Sequence, residues 1–143
     1  MRFSILSLIG SIAVAASAFL PWLRLGDVGL PGIPDPAGFF VLALGIFGLL
    51  LAGVAAFTRR DVRPWLVLVG LAGLTTLIVV WRTGPSTIAD RALSRAEAVS
   101  IVDGVPIQPV PPVRVGSGVF VGLAGAALIV AAGVRRARTG DRP

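Results

Sequence analysis

Four stretches without a single charged residue occupy more than half of this 143-residue chain. They cover residues 3–23, 37–57, 64–81 and 117–134. Each is about 18–21 residues long, the length that an α-helix needs to cross ~30 Å of hydrocarbon at ~1.5 Å per residue. A charged side chain at mid-membrane costs at least ~2.5 kcal/mol, so these four windows predict four transmembrane helices.

The connections between the windows predict how the helices are arranged. We expect an all-α membrane protein that forms one domain over residues 1–143, an antiparallel four-helix bundle built from two helical hairpins. The connection at 58–63 is so short that the second and third helices must lie side by side. The connection at 82–116 is the longest loop. Its apolar residues recur at three- and four-residue steps over 86–99, which predicts a short amphipathic helix there.

The second half of the long loop has a different character. Four prolines between Pro106 and Pro112 break any helix and favour an extended segment that returns to the fourth span. Asp103-Gly104 is a turn signal between β-branched residues, so a small hairpin over 101–107 is an alternative.

Basic residues predict the orientation of the bundle. All thirteen are Arg, and eight of them lie near the termini or in the short second loop. Positive charge concentrates in cytoplasmic loops, so we expect both termini in the cytoplasm and the long loop outside it. The Arg residues to which we assign this topological and lipid-headgroup role are Arg59, Arg60, Arg63, Arg135, Arg136 and Arg138. The expected location is the cytoplasmic membrane of the cell, with a virion or vesicle membrane as the alternative.

Tryptophans fall at the ends of the predicted spans. Trp22, Trp65 and Trp81 are therefore expected to anchor the bundle at the headgroup level, where indole rings are enriched. The first span has a second interpretation, because Ala16-Ser17-Ala18 matches a signal-peptidase site. Since the apolar run continues to Leu23, we expect an uncleaved helix, and cleavage would leave three spans.

Small residues at four-residue spacing predict where the helices pack. Such spacing lets two helix backbones approach closely in lipid. The expected packing residues are Ser7, Ser11 and Ala15 in the first helix, Gly48, Ala52 and Ala56 in the second, and Gly118, Gly122 and Ala126 in the fourth. They serve either the bundle itself or contacts with copies of the chain and other membrane subunits.

The second and fourth spans also resemble each other. Placing 38–54 over 118–134 without a gap gives seven identities in seventeen positions, among them Gly38 with Gly118 and Gly45 with Gly125. We interpret this as a duplication of one helical hairpin, about 1–60 and 61–138. Convergence on similar helix compositions is the alternative.

Composition excludes several kinds of chemistry. The chain contains no Cys and no His, so the usual ligands of zinc and haem are missing and Ser-His or Cys-His catalysis cannot be built. We expect no enzyme activity, no metal and no cofactor. Proton and cation carriers place ionisable groups inside their spans, and this chain has none there. The hydroxyls of Thr75 and Thr76 are expected to bond back to the preceding turn.

The remaining charges suggest no nucleic-acid partner. The net charge of +6 is spread over membrane loops in the pattern that sets topology, so the lipid bilayer is the expected partner of the Arg residues. Asp90 and Glu97 are expected to form surface ion pairs with Arg91 and Arg95.

Three features carry a resemblance to known proteins: Leu20-Pro21-Trp22 at the end of the first span, the Arg-rich short loop and the glycine-initiated last span. The chain resembles small uncharacterised four-span membrane proteins of high-GC prokaryotes, without pointing to a specific family. Claudin-type adhesion proteins share the plan of two outer loops, but this chain lacks their paired cysteines. The expected function is that of a structural or accessory membrane protein, which packs with partner subunits or with itself and presents the long loop. The alternative is a lipid- or small-molecule-binding or transport protein with a cavity between its helices.

Overall fold

The computed structural model describes residues 2–58, 62–104, 106–107 and 109–135, except for the side chains of residues 2–4, 58 and 135. The elements follow the chain in the order α1 (Arg2–Ser17), β1 (Pro21–Leu25), β2 (Val28–Pro31), α2 (Pro36–Thr58), α3 (Arg63–Asp103), β3 (Val113–Val115) and α4 (Ser117–Arg135). The described part of the chain is therefore mostly helical. We call the end of the molecule that carries the strands, formed by the described residues of 18–35 and 82–116, the cap.

The four helices pack side by side. α1 lies between α2 and α4, while α3 packs closely against α4 and more sparsely against α2. Three helices are long and apolar enough to cross a membrane, at Pro36–Phe57, Arg63–Asp103 and Ser117–Val134, and α1 adds the shorter apolar helix Ile5–Ser17. Large apolar side chains remain exposed around the bundle, which is typical of a protein surrounded by lipid. They include Ile5, Ile9, Phe40, Phe47, Leu50, Leu68, Ile78 and Phe120.

The first apolar window does not form one helix to its end. The sequence predicts a span over 3–23, but α1 ends at Ser17 and the chain turns back as β1. The backbone N–H groups of residues 18–20 bond to carbonyls three residues earlier, which tightens the end of the helix. Pro21 then has no N–H with which to continue the ladder. Trp22 and Leu23 are buried by the rest of the protein.

A three-stranded sheet corrects the prediction of an all-α fold. β1 pairs antiparallel with β2 on one side and with β3 on the other. The β1–β2 hairpin turns at Gly26-Asp27, and Gly26 has a φ of +59°, a left-handed conformation that glycine adopts without strain. β3, just before α4, thus completes the sheet as an extended segment.

α3 is one continuous helix of 41 residues, about 60 Å long at ~1.5 Å per residue. The sequence predicts a span that ends at Trp81 and a separate helix at 86–99. Pro85 lies inside the helix instead, where it removes one ladder hydrogen bond and its ring crowds the carbonyl of Trp81. The hydroxyls of Ser86 and Thr87 bond back to the carbonyl of Thr83, so they support the helix rather than cap a new one.

The end of α3 settles the alternative of a hairpin over 101–107. Gly104 has a φ of +65°, and its N–H donates to the carbonyl of Ser100 at 3.0 Å. This is the usual left-handed glycine cap of a helix C-terminus. Asp103-Gly104 therefore ends a helix and does not form the turn of a hairpin.

Candidate functional site

Trp22 joins the cap to the bundle. Its side chain is 3% exposed, and its Nε1 donates a hydrogen bond to the carbonyl of Ser17 at 2.7 Å. The ring lies so close to Gly32 and Gly118 that a Cβ at either glycine would come within 2.6 Å of it. The indole is thus enclosed by protein and does not face a headgroup layer, contrary to the expected anchoring role.

The other two tryptophans remain on the surface. Trp65 is 57% exposed near the start of α3, and Trp81 is 47% exposed. The ring of Trp81 also meets Phe120 of α4 edge to face, with 6.3 Å between ring centroids. Their role as membrane anchors stays a prediction.

Eight of the nine predicted packing residues are at least half-buried. Ser11 of α1 lies against Gly48 of α2, because a Cβ on Gly48 would come within 2.6 Å of the Ser11 hydroxyl. Gly122 of α4 meets both Ser17 of α1 and Leu77 of α3. The buried members are Ser7, Ser11, Gly48, Ala52, Gly118, Gly122 and Ala126, while Ala15 is half-buried and Ala56 is exposed. These small faces are therefore used largely inside the bundle.

The closest approach of two helices occurs at glycines that the four-residue pattern misses. A Cβ on Gly10 would lie 2.8 Å from the carbonyl oxygen of Gly125, and one on Gly125 would lie 2.7 Å from that of Gly10. A Cβ on Gly45 of α2 would likewise lie 2.6 Å from the backbone nitrogen of Ala15. Gly45 of α2 and Gly125 of α4 occupy matching positions in the two similar spans. Both thus pack against α1, one from each of the two helices that flank it.

Several predicted positions lie outside the described residues. These are Arg59, Arg60, Arg136 and Arg138, together with the side chain of Arg135. Arg63 is half-buried at the start of α3. The back-bonding of the threonines is confirmed, since Thr75 and Thr76 each donate to the carbonyl four residues earlier at 2.9 Å.

A groove of about 760 Å³ runs along the cap portion of α3. Its wall on α3 repeats at three- and four-residue steps, so one face of the helix lines it. The hairpin contributes Leu25 and Leu30 from the opposite side. We call this feature the groove, and its lining residues are Leu25, Leu30, Ile88, Arg91, Ala92, Arg95, Ala96, Val99, Ser100 and Pro106.

Arg91 and Arg95 belong to the wall of the groove. The sequence predicts that they form surface ion pairs with Asp90 and Glu97. Both residues instead line the groove, are exposed, and form no ion pair with any carboxylate among the described residues. They stand one helical turn apart, about 6 Å along the axis. The groove therefore combines apolar walls with two unpaired positive charges.

A second cavity of about 580 Å³ continues the groove toward the bundle. The two cavities share Leu30, Ile88 and Arg91. The second reaches Val79 and Val80 of α3, inside the predicted membrane window, and it is bordered by Trp22. A mainly apolar surface, which Asp35, Thr83 and Thr87 interrupt, thus leads from the level of the membrane to the two Arg residues of the cap.

Neither a scan against protein-family models nor a search of curated proteins finds a match for this chain. In the part of the chain that the structure describes, no three His, Cys, Asp or Glu side chains lie together as metal ligands. The groove is the candidate functional site, and the sequence signal that locates it is the periodic wall over 88–99.

Proposed function

We propose that this protein is a structural or accessory membrane protein that holds its cap rigidly outside the bilayer as a docking platform. The observation that carries the proposal is the continuity of α3. One helix runs from the bundle through Pro85 into the cap, so the position of the cap is tied to that of α3. The sheet adds a second connection, since Gly116 donates from the start of α4 to the carbonyl of Trp22 at 2.6 Å.

The proposal includes a fourth span. α1 is short, but it packs against α2 through Ser11 and against α4 through Gly10, and it exposes Ile5 and Ile9 on its outer side. A helix of this composition between two membrane helices is best solvated by lipid. With the predicted Arg pattern, the termini lie in the cytoplasm and the cap lies outside the cytoplasmic membrane.

The surface available to a partner lies on the cap. Since the predicted small-residue faces are largely consumed inside the bundle, they offer little to another subunit. The end of α3 carries Ile101 and Val102, each 82% exposed, and Val99 and Leu93 lie nearby on the same helix. Neighbouring exposed apolar side chains beyond the membrane windows are the kind of surface that protein contacts use.

Site-specific photo-crosslinking in cells tests this role. A photoreactive residue at Ile101 should give a discrete adduct, either with one partner protein or with a second copy of the chain. Phe57 provides the matched control, since it is 91% exposed but lies at the far end of α2 within a membrane window. Lipid adducts alone are expected there. The proposal fails if Ile101 yields no protein adduct and the gently extracted protein is a monomer.

Reporter fusions test the orientation. Fusions at Val102 and at Thr139 should report opposite sides of the membrane, because an uncleaved four-span chain places the cap and the C-terminus on different sides. The same side for both positions contradicts the four-span proposal.

The groove supports a second candidate function, in which the protein binds a lipid or small molecule. The specific observation is the path from Val80 to Arg95, whose apolar walls begin at membrane level and end at two unpaired charges.

A further inference from the structure

We propose that the groove binds an anionic phospholipid. Its phosphate lies between Arg91 and Arg95, and one acyl chain lies along the apolar wall that leads back toward the bundle. This inference rests on the second candidate function and names its ligand. The accessory role does not depend on it.

The two guanidinium groups define the headgroup end of the site. A guanidinium presents its N–H donors as a planar fork that matches two phosphate oxygens. Two such forks one turn apart on the same helix face can hold a single phosphate between them. Neither fork is occupied by a carboxylate among the described residues.

The nearest acidic group on the path is already engaged. Asp35 borders the second cavity, but its Oδ1 accepts a hydrogen bond from the N–H of Ala37 at 2.9 Å and so caps the start of α2. It lies on the bundle side of Arg91. A negative phosphate is therefore attracted to the far end of the path, where the two Arg residues stand.

The walls between these groups suit an acyl chain. Ile88, Ala92 and Leu30 line the groove, and Val80 and Leu23 continue the surface into the second cavity. An acyl chain enters this path at the level of the bilayer and follows mainly apolar surface. Thr83 and Thr87 also line the second cavity, but their hydroxyls already donate to the carbonyls of Val79 and Thr83. Each cavity also falls in the range of roughly 300–1,000 Å³ that is usual for ligand sites.

A peptide fits the same space less well. Its backbone N–H and carbonyl groups need hydrogen-bond partners, which an apolar wall does not supply. Besides the two guanidinium groups, Ser100 is the polar side chain of the described lining, and its hydroxyl already donates to the carbonyl of Glu97 at 2.8 Å. An acyl chain has no such requirement.

Native mass spectrometry of the full chain tests the inference. The protein is released from nanodiscs that contain equal amounts of phosphatidylglycerol and phosphatidylcholine, and the lipid that stays bound is identified. We expect one retained phosphatidylglycerol. The double variant R91Q/R95Q should reduce the preference for phosphatidylglycerol at least about tenfold, equivalent to ~1.4 kcal/mol. Both side chains are exposed, so its thermal unfolding should match that of the unaltered protein.

Two control variants separate this site from general attraction to positive charge. R24Q/R114Q removes the same charge from cross-strand neighbours on the exposed face of the sheet, outside the groove lining. It should leave lipid retention unchanged. Ala92→Trp fills the groove and should abolish retention, whereas Ala98→Trp, at an exposed position outside the lining, should not.

The outcomes distinguish the site from its alternatives. Equal loss of preference in R91Q/R95Q and R24Q/R114Q overturns the proposed site and indicates surface charge only. If Ala92→Trp expels the lipid but R91Q/R95Q does not weaken its retention, the phosphate assignment is overturned and the lipid-binding function is kept. No retained lipid overturns both. A dimer that Ala92→Trp dissociates overturns the inference and assigns the groove to a second copy of the chain.

Discussion

The seam between α1 and α4 is closed, whereas the seam between α2 and α3 opens toward the cap into two connected cavities. At the closed seam both helices present a glycine at the same level. The carbonyl oxygen of Gly10 lies 2.7 Å from the position of a Cβ on Gly125, and that of Gly125 lies 2.8 Å from a Cβ on Gly10. Packing at this distance leaves no room for a ligand. It also maximises dispersion contacts, which hold helices together where lipid is as apolar as the side chains.

The open seam lacks such a pair of glycines. Away from the cap, α2 and α3 meet where Gly48 faces Val69, with 3.7 Å between the position of a Cβ and the valine side chain. Gly70 and Gly73 of α3 are directed at Val130 and Ala126 of α4 instead. Toward the cap, Trp22 and Leu23 line the space between the two helices. We infer that glycines decide which seam closes, and that the side chains of β1 keep the other apart.

The largest expected effect of a single change is at Trp22, which borders both regions. Trp22→Ala should lower the free energy of unfolding by about 3–5 kcal/mol, because it leaves a large cavity between the cap and the ends of α1 and α4. Reversible unfolding in detergent measures the change. Trp65→Ala removes the same ring from a surface position and should cost roughly 0.5 kcal/mol. Similar losses in both variants would contradict the enclosed position of Trp22.

The bundle could largely be predicted from the sequence, because exclusion of charge from lipid acts on each span separately. The windows 37–57, 64–81 and 117–134 correspond closely to α2, the first part of α3 and α4. The cap could not be predicted in this way. The sequence predicts Pro21-Trp22-Leu23 to be the end of a transmembrane span, because burial in protein and burial in lipid select the same apolar residues. Only the pairing of β1 with β3, which is distant in sequence, shows that these residues are buried in protein and not in lipid.

The candidate site shows the same division. The periodic wall over 88–99 is visible in the sequence. The role of Arg91 and Arg95 is not visible. Their neighbours Asp90 and Glu97 suggest ion pairs, and only the position of Leu25 and Leu30 opposite α3 shows that the two Arg residues line a groove.

The second effect in size tests the closed seam itself. Gly125→Leu should lower the free energy of unfolding by about 2–3 kcal/mol, because the added side chain clashes with the backbone of α1. A backbone clash cannot be relieved by a change of rotamer. Gly53→Leu is the matched control, since no atom lies within 4 Å of a Cβ at that position of α2. Unfolding in detergent compares the two. If Gly125→Leu is tolerated as well as Gly53→Leu, glycine contact does not close this seam.

The smallest expected effect compares the two sides of α1, each of which carries one buried serine that can be replaced by alanine. Ser17, which faces Gly122 of α4, donates its hydroxyl to the carbonyl of Val14 at 2.7 Å, so Ser17→Ala should cost about 1 kcal/mol. Ser11, which faces Gly48 of α2, is fully buried, and its Oγ has no hydrogen-bond partner among the described residues. Ser11→Ala removes a buried unsatisfied oxygen, and we expect it to raise the free energy of unfolding by up to about 1 kcal/mol. Unfolding curves of the two variants under identical conditions measure the difference in sign. Equal destabilisation would show that the Ser11 hydroxyl is satisfied in the membrane, and that the two sides of α1 are packed alike.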